Sequence, residues 1–185
     1  MKKALCLTFA LALAATVAAR PALAHDHAEA KPAGGAIKAE ILRQIDDAEK
    51  KILQLAEATP AEKYAWRPAE KIRSTGEVFM HIAGGNYFLP TFWGAKMPEG
   101  VNPREFDKSA ADKAKVIDTL KKSFAHARES INGTTDADLD KATKFFGQDG
   151  TVREVILLVA THAHEHLGQS IAYARMNGVV PPWSA

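Results

Sequence analysis

The sequence predicts an all-α protein whose helices pack as a four-helix bundle. Four stretches of roughly 20 residues each place apolar side chains at the three- and four-residue steps of a helix. No stretch alternates between apolar and polar residues as a half-buried strand does, and no segment repeats at the spacing of a solenoid protein. Helices of similar length, joined by connections of moderate length, are typical of a four-helix bundle.

The first two helices are predicted from different features of the sequence. The first is predicted from about Ala36 to Ala58, where isoleucine and leucine side chains fall close to one stripe and charged residues occupy the rest. The second opens at Ser74, and Glu77 follows three residues later. A Ser and a Glu at this spacing form a capping box, in which each side chain accepts a hydrogen bond from the other residue's backbone N–H. The apolar side of this helix is predicted to continue towards Phe92.

The other two helices have clearer ends. The third is predicted from Ser109 to Gly133, with large apolar residues at helical spacing. The fourth is predicted to begin at Thr151, with Glu154 as its capping partner. It is predicted to end near Gly178, because a glycine and the prolines that follow it stop helices.

Two of the predicted connections are long for a minimal bundle. Residues 59–73 join the first helix to the second, and residues 96–108 join the second to the third. Both contain prolines, and the first contains Trp66. We expect these connections to fold over the ends of the bundle.

Residues 1–24 have the pattern of a cleaved export signal. Two lysines precede an apolar run without charges at residues 4–19, and Ala22 and Ala24 are the small residues that a cleavage site requires. The run is shorter than the roughly 20 residues that span a bilayer, which disfavours the alternative of a retained membrane anchor. We therefore expect a periplasmic or secreted protein that has no membrane attachment after cleavage.

Cleavage after residue 24 leaves a short leader and one domain. Residues 25–35 (HDHAEAKPAGG) are polar and end in Pro and Gly, which predicts a disordered leader, and residues 36–185 are enough for one well-cored domain. Cleavage removes Cys6 and three basic residues, so the mature chain has no disulfide and carries 21 basic residues against 22 acidic ones. Its formal charge of −1, in place of +2, gives no electrostatic basis for binding nucleic acid.

Residues 161–170 (THAHEHLGQS) hold three of the seven histidines. His162 and His166 are one helical turn apart, so their imidazoles lie within reach of one metal ion. His164 lies about 200° from His162 around the helix axis and is predicted to be a bystander. His81, on the apolar side of the second helix, is the candidate third ligand. From the residues alone, a three-histidine metal site and hydrogen-bonded core histidines both remain open.

Several ordered motifs resemble the DinB-like family of metal-binding four-helix bundles. The resemblance extends from about Ile37 to Ser184, which is nearly all of the predicted mature chain. The motifs are WRPAEKIRS at residues 66–74, SxGEVxxHIAGGNYF at residues 74–88, HxxxHxGQ at residues 162–169 and NGVVPPWS at residues 177–184.

The resemblance implies a specific ligand set. In such proteins one histidine of the second helix and two of the fourth hold the metal, which implies His81, His162 and His166 here. Homodimers are common in the family. The chain departs from many relatives at Glu165, where histidine is frequent, and at Leu167, where arginine is frequent. Neither position is a ligand, but both alter the surroundings of the site, so the resemblance by itself does not imply that this chain shares the substrates of its relatives.

Three imidazole ligands leave coordination positions open for water or a substrate, unlike closed structural zinc sites. Imidazole suits several metals, of which we expect zinc first and nickel second, at one divalent ion per chain. Glu77 and Glu165 flank the histidines, but the capping box already explains Glu77, and Glu165 lies about 100° from His166. No catalytic residue is predicted. The candidate polar or aromatic groups for a pocket beside the metal are Asn86, Tyr87, Trp93 and Gln169.

Two functions fit these expectations. One is an exported metal-dependent hydrolase or transferase that acts on an unknown small molecule. The other is a non-catalytic periplasmic protein that binds a metal or ligand, such as a stress-related envelope protein. A third reading, a plain structural bundle with packed histidines, has no functional site. Some relatives use low-molecular-weight thiols of the cytosol, and export separates this chain from that pool.

Overall fold

Helices make up most of the chain that this computed structural model describes, which is residues 34–184. The predicted export signal and residues 25–33 of the predicted leader lie outside the described residues. Within residues 34–184, no helix is long and apolar enough to cross a membrane. The helices are α1 (Gly34–Ala58), α2 (Thr75–Phe88), α3 (Lys113–Asn132), α4 (Asp136–Leu139) and α5 (Val152–Met176).

The four long helices pack around one apolar core, and the all-α prediction is confirmed apart from one small hairpin. α2 lies against α3 and α5, and α1 lies against the same two helices. Each of these helices therefore has two long neighbours, as in a four-helix bundle. All four contribute fully buried side chains, for example Ile45 from α1, Phe79 from α2, Phe124 from α3 and Val159 from α5. Because α2 and α5 are direct neighbours, histidines on their facing sides can meet.

Both predicted capping boxes are present. The Ser74 hydroxyl accepts a hydrogen bond from the Glu77 N–H at 3.3 Å, and the Glu77 carboxylate accepts one from the Ser74 N–H at 2.7 Å. Thr151 and Glu154 form the same reciprocal pair at the start of α5. A capping box satisfies backbone N–H groups that have no partner within the helix. A pattern of four consecutive residues in the sequence is therefore enough to predict where α2 and α5 begin.

The third helix begins later than predicted. Ser109 does not start it but ends a 3₁₀-helix, Pro103–Ser109, and α3 begins at Lys113. The carboxylate of Asp112 accepts a hydrogen bond from the Lys115 N–H at 3.1 Å, so Asp112 provides the N-terminal cap. At the other boundaries, α1 begins two residues earlier than predicted, and α2 ends before a 3₁₀-helix that contains a proline.

The second long connection lies along α2 rather than only over the end of the bundle. Its 3₁₀-helix packs on α2, and the close approach depends on a glycine. A Cβ atom on Gly76 would lie only 1.8 Å from the carbonyl oxygen of Ala110, whereas one on Gly84 would be in ordinary contact with Pro103 at 3.6 Å. Part of the connection is consequently placed beside His81, where it lines a cavity.

A β-hairpin that the sequence does not predict precedes α5. Its strands, β1 (Ala142–Phe145) and β2 (Gln148–Thr151), pair antiparallel. Each strand has four residues, too few for an alternating pattern to stand out. Phe146 and Gly147 form the turn with φ angles of 49° and 82°, and a type I′ hairpin turn requires positive φ at both positions.

Candidate metal centre

α2 and α5 bring together the three histidines that the sequence singles out. His81 comes from α2, and His162 and His166 come from α5. One ring nitrogen of each histidine lies within 4.8 Å of the corresponding nitrogens of the other two. The ring centroids of His81 and His162 are both 4.6 Å from that of His166. The three rings thus form one cluster across the α2–α5 interface, and each can offer one nitrogen to a common point.

A hydrogen-bond chain along α5 fixes the tautomer of His166. Its Nδ1 is 2.9 Å from Oε1 of Gln169, and the Gln169 amide nitrogen in turn donates to the hydroxyl of Tyr173 at 3.0 Å. Because an amide oxygen can only accept a hydrogen bond, Nδ1 of His166 carries the proton. The lone pair of His166 is therefore on Nε2, the nitrogen that remains available to a metal.

The cluster holds more nitrogen lone pairs than its own protons satisfy. Nε2 of His81 is 3.3 Å from Nε2 of His162, so one proton can be shared between these two atoms. Among residues 34–184, the hydrogen bond of the His166 ring is the one from Nδ1 to Gln169, and Nε2 has no partner. A divalent cation accepts lone pairs from all three rings at once. The donor set therefore fits a metal ion.

Burial and nearby charges keep the rings of His81 and His162 in the neutral form that binds a metal. Burial lowers the pKa of His81 to about 4, and the neighbouring Arg73 and His166 contribute to the shift. Burial also lowers the pKa of His162 to about 4, with contributions from His166, His81 and Arg73. Both imidazoles are neutral at neutral pH, and neutral imidazole is the metal-binding form.

Gly85 allows the ring of His162 to approach α2. A Cβ atom at residue 85 would lie 2.4 Å from Cε1 and 2.7 Å from Nδ1 of His162. Nδ1 of His162 is buried there and has no hydrogen-bond partner in the described part of the chain. The sequence places Gly85 on the same side of the second helix as His81, one turn further on, but it does not show this contact. The signal in the sequence that could have indicated this contact is a glycine one helical turn after a candidate ligand.

A cavity of about 660 Å³ opens beside the histidines. His81 and His162 contribute to its lining, together with residues from α2, the second long connection, the hairpin and α5. Its volume is within the range of about 300–1,000 Å³ that is usual for small-molecule sites. A small molecule in this cavity would therefore lie next to two of the three candidate ligands.

Comparison with known proteins agrees with this architecture. A family model described as the DinB superfamily matches residues 44–170. The chain belongs to the DinB superfamily. A DinB-like protein from Bacillus subtilis, 19% identical, superposes with a TM-score of 0.60 over 76% of this chain and 93% of that one. A DinB-like protein from Bacillus cereus, 20% identical, gives a TM-score of 0.59 over 77% of this chain and 93% of its own. No curated protein matches the chain.

The resemblance inferred from the sequence motifs is thereby confirmed at the level of family and fold. The matched region of this DinB superfamily member includes His81, His162 and His166. The sequence identity to the two solved structures is below 25%, so these structures support the fold of this chain but not the identity of its metal ligands.

Other residues near the histidines have structural roles in this DinB superfamily member. His164 lies at the α1–α5 interface, where its Nε2 is 3.1 Å from the carbonyl oxygen of Gln44, and so it does not join the cluster. Glu77 forms the capping box of α2 and pairs with Arg67 at 3.0 Å. Glu165 is exposed to solvent.

Of the four predicted pocket candidates, only Gln169 lies beside the histidines. The Asn86 side chain is fully buried and donates to the hydroxyl of Ser123 at 3.2 Å. Tyr87 is buried against His126, with their ring centroids 5.2 Å apart. Trp93 lines a different cavity. Asn86 and Tyr87 therefore pack between helices instead of facing the histidines. The cavity beside the histidines is lined mainly by residues that the sequence does not indicate.

Proposed function

We propose that this DinB superfamily protein binds one divalent metal ion per chain through His81, His162 and His166. The proposal depends on one observation: three ring nitrogens lie within 4.8 Å of one another, and the protons of these rings are too few to form hydrogen bonds with all their nitrogen lone pairs. Imidazole ligands suit zinc and nickel, in that order of expectation. Three protein ligands leave positions open, which distinguishes this set from a closed structural zinc site.

The cavity beside the site supports a role in binding or converting a small molecule. When bound, a divalent ion supplies Lewis acidity next to this cavity. His166 is held in one tautomer by Gln169, and the neutral state of His81 and His162 preserves their lone pairs. We infer that the protein is a metal-dependent hydrolase or transferase whose substrate enters the cavity, and that the signal at residues 1–24 exports it to the periplasm or beyond.

One observation favours the alternative, a non-catalytic metal- or ligand-binding protein. A hydrolase normally positions a general base near the metal. Of the two carboxylates that flank the histidines in sequence, Glu77 is engaged by the backbone of Ser74 and by Arg67, and Glu165 is exposed. Neither of these two carboxylates lines the cavity beside the histidines.

Removing the metal is expected to lower the melting temperature of the protein. An ion present at about 1,000 times its Kd stabilises the folded state by about 4 kcal/mol, which corresponds to a shift on the order of 10 °C for a domain of this size. Elemental analysis of protein purified without a His tag should give one zinc or nickel per chain, and melting curves with and without a chelator should differ by such a shift. The His81→Ala variant is the control, and its curve should not respond to the chelator. Identical wild-type curves would favour packed histidines without a metal.

Replacing Gln169 with Ala is expected to weaken metal affinity by about 10–100-fold, which is the usual cost of losing the partner that orients a ligand. Without the amide oxygen of Gln169, Nδ1 of His166 loses the only hydrogen bond that it forms within residues 34–184, and the ring can rotate. Competition with a chromophoric chelator measures the affinity. Glu165→Gln, an exposed change on the same helix, should leave it unchanged, and equal affinities for all three proteins would show that Gln169 does not orient the ligand.

A further inference from the structure

The cavity beside the histidines is apolar over much of its wall. Aliphatic, thioether and aromatic side chains come from α2 and the 3₁₀-helix that follows it, from the second long connection, from the hairpin and from α5. They are Met80, Phe88, Leu89, Met97, Phe146 and Leu158. An occupant must therefore present an apolar body, since a wholly polar ligand would leave these groups without matching contacts.

The polar part of the lining carries an excess of positive charge. Arg73 and Arg104 line the cavity against a single carboxylate, Asp107. Within residues 34–184, neither arginine forms an ion pair or a hydrogen bond through its guanidinium group, whereas Arg67 and Arg128 are each paired with carboxylates. Arg73 lines the same cavity as His81 and His162, which places it on the wall that holds two of the candidate metal ligands. The free arginines and the metal site together favour an anion.

The hairpin turn adds an independent observation. Phe146 adopts a φ of 49°, a left-handed conformation that a bulky side chain rarely takes and that Asn or Gly would adopt with less strain. Its side chain is 65% exposed and nevertheless lines the cavity, with ring centroids 6.2 Å from Phe88 and 5.1 Å from Phe92. Burial in the core does not explain a phenylalanine at this position. Strained residues of this kind are concentrated at ligand sites.

We propose that the cavity binds a small organic anion with an apolar body, of the medium-chain or aryl carboxylate class. The carboxylate lies between the three-histidine site and Arg73, and the apolar body lies against Phe88, Phe146 and Leu158. This inference rests on the proposed metal-dependent function, for which it names the class of substrate or ligand. A cation is disfavoured by the two free arginines, and a neutral apolar molecule leaves them without a partner.

Octanoate and 1-octanol are the probes that test the proposal, because they share a chain length and differ in charge. Binding to zinc-loaded protein is measured by isothermal titration. We expect octanoate to bind at least tenfold more tightly than octanol, and Arg73→Gln to lower octanoate affinity about tenfold with little effect on octanol. Arg43→Gln is the matched control, because Arg43 is an exposed arginine on α1 that does not line this cavity. No octanoate binding, equal affinity for octanol, or equal effects of the two arginine variants would overturn the proposal.

Phe146→Asn separates a ligand contact from a structural role. We expect this variant to bind both probes more weakly while its melting temperature does not fall, because Asn accepts the left-handed turn conformation. Unchanged affinity with a lower melting temperature would show that Phe146 only supports the fold, and would remove the aromatic wall from the proposal. Metal content is measured first on each protein. Charge-dependent octanoate binding to protein that takes up no zinc would support the anion site while the metal proposal fails.

Discussion

Replacing His162 with Ala is expected to weaken zinc affinity on the order of 100-fold or more, whereas replacing His164 should leave it nearly unchanged. The loss of a partner that only orients a ligand already costs about 10–100-fold, so the loss of the ligand itself should cost more. His162 belongs to the three-nitrogen cluster, whereas His164 lies two residues further along the same helix and contacts Gln44 of α1. The two variants are therefore matched: each replaces a histidine of α5, and the two positions are only two residues apart.

Isothermal titration with zinc measures this difference. The variants should lack the predicted leader, because His25 and His27 can bind metal independently of the domain. His81→Ala and His166→Ala should behave as His162→Ala does. His164→Ala removes one hydrogen bond between α5 and α1, which predicts a stability loss of about 1 kcal/mol without a loss of affinity. If His164→Ala weakens zinc binding as much as His162→Ala, the histidines act as a surface chelator and the three-histidine site is wrong.

Gly85→Ala is expected to disrupt the metal site although every ligand is retained. The added methyl group would lie 2.4 Å from Cε1 of His162, far inside contact distance, so the ring must move out of the cluster or α2 must move away from α5. Movement of the ring alone costs little stability, whereas overpacking that displaces α2 costs about 1–3 kcal/mol. We expect zinc affinity to fall at least tenfold, because the nitrogen of His162 no longer meets those of His81 and His166.

Gly84→Ala is the matched control for this prediction. Gly84 is the adjacent helical glycine, and within residues 34–184 a Cβ there would meet only Pro103, at an ordinary 3.6 Å. Alanine is favoured over glycine inside a helix by roughly 0.5–1 kcal/mol, so Gly84→Ala should be neutral or stabilising and should keep its zinc affinity. Titration and thermal unfolding of both variants give the comparison. Equal zinc affinities for Gly85→Ala and the wild type would show that His162 does not need its position against α2.

The metal proposal and the anion proposal make separate demands on the cavity. The metal requires neutral imidazoles, and the anion requires the free charge of Arg73 and the aromatic wall at Phe146. These groups come from different segments: α2 and α5 supply the histidines, the connection that leads into α2 supplies Arg73, and the hairpin supplies Phe146. A change in Arg73 or Phe146 can therefore alter ligand choice while the ligands of the metal stay in place.

The sequence by itself determined the features that depend on neighbouring residues. The capping boxes at Ser74 and Thr151 need only four residues each, and both are present. The pairing of His162 with His166 follows from the helical repeat, which also directs His164 to the opposite side. The family and the all-α fold were also predicted, the family from ordered motifs that the superfamily match confirms. The export signal stays a prediction, because residues 1–24 lie outside the described chain.

Tertiary structure alone decided the features that depend on residues distant in the chain. The contact between Gly85 and His162, the hairpin that carries Phe146, and the arrival of Arg73 beside the histidines join segments whose spacing in the sequence contains no periodic signal. The start of α3 was mispredicted because Ser109 and Asp112 are both good caps, and the 3₁₀-helix that packs on α2 takes up Ser109. Helical periodicity fixes which side chains share a face, but the distance between two faces is set by how the whole chain packs.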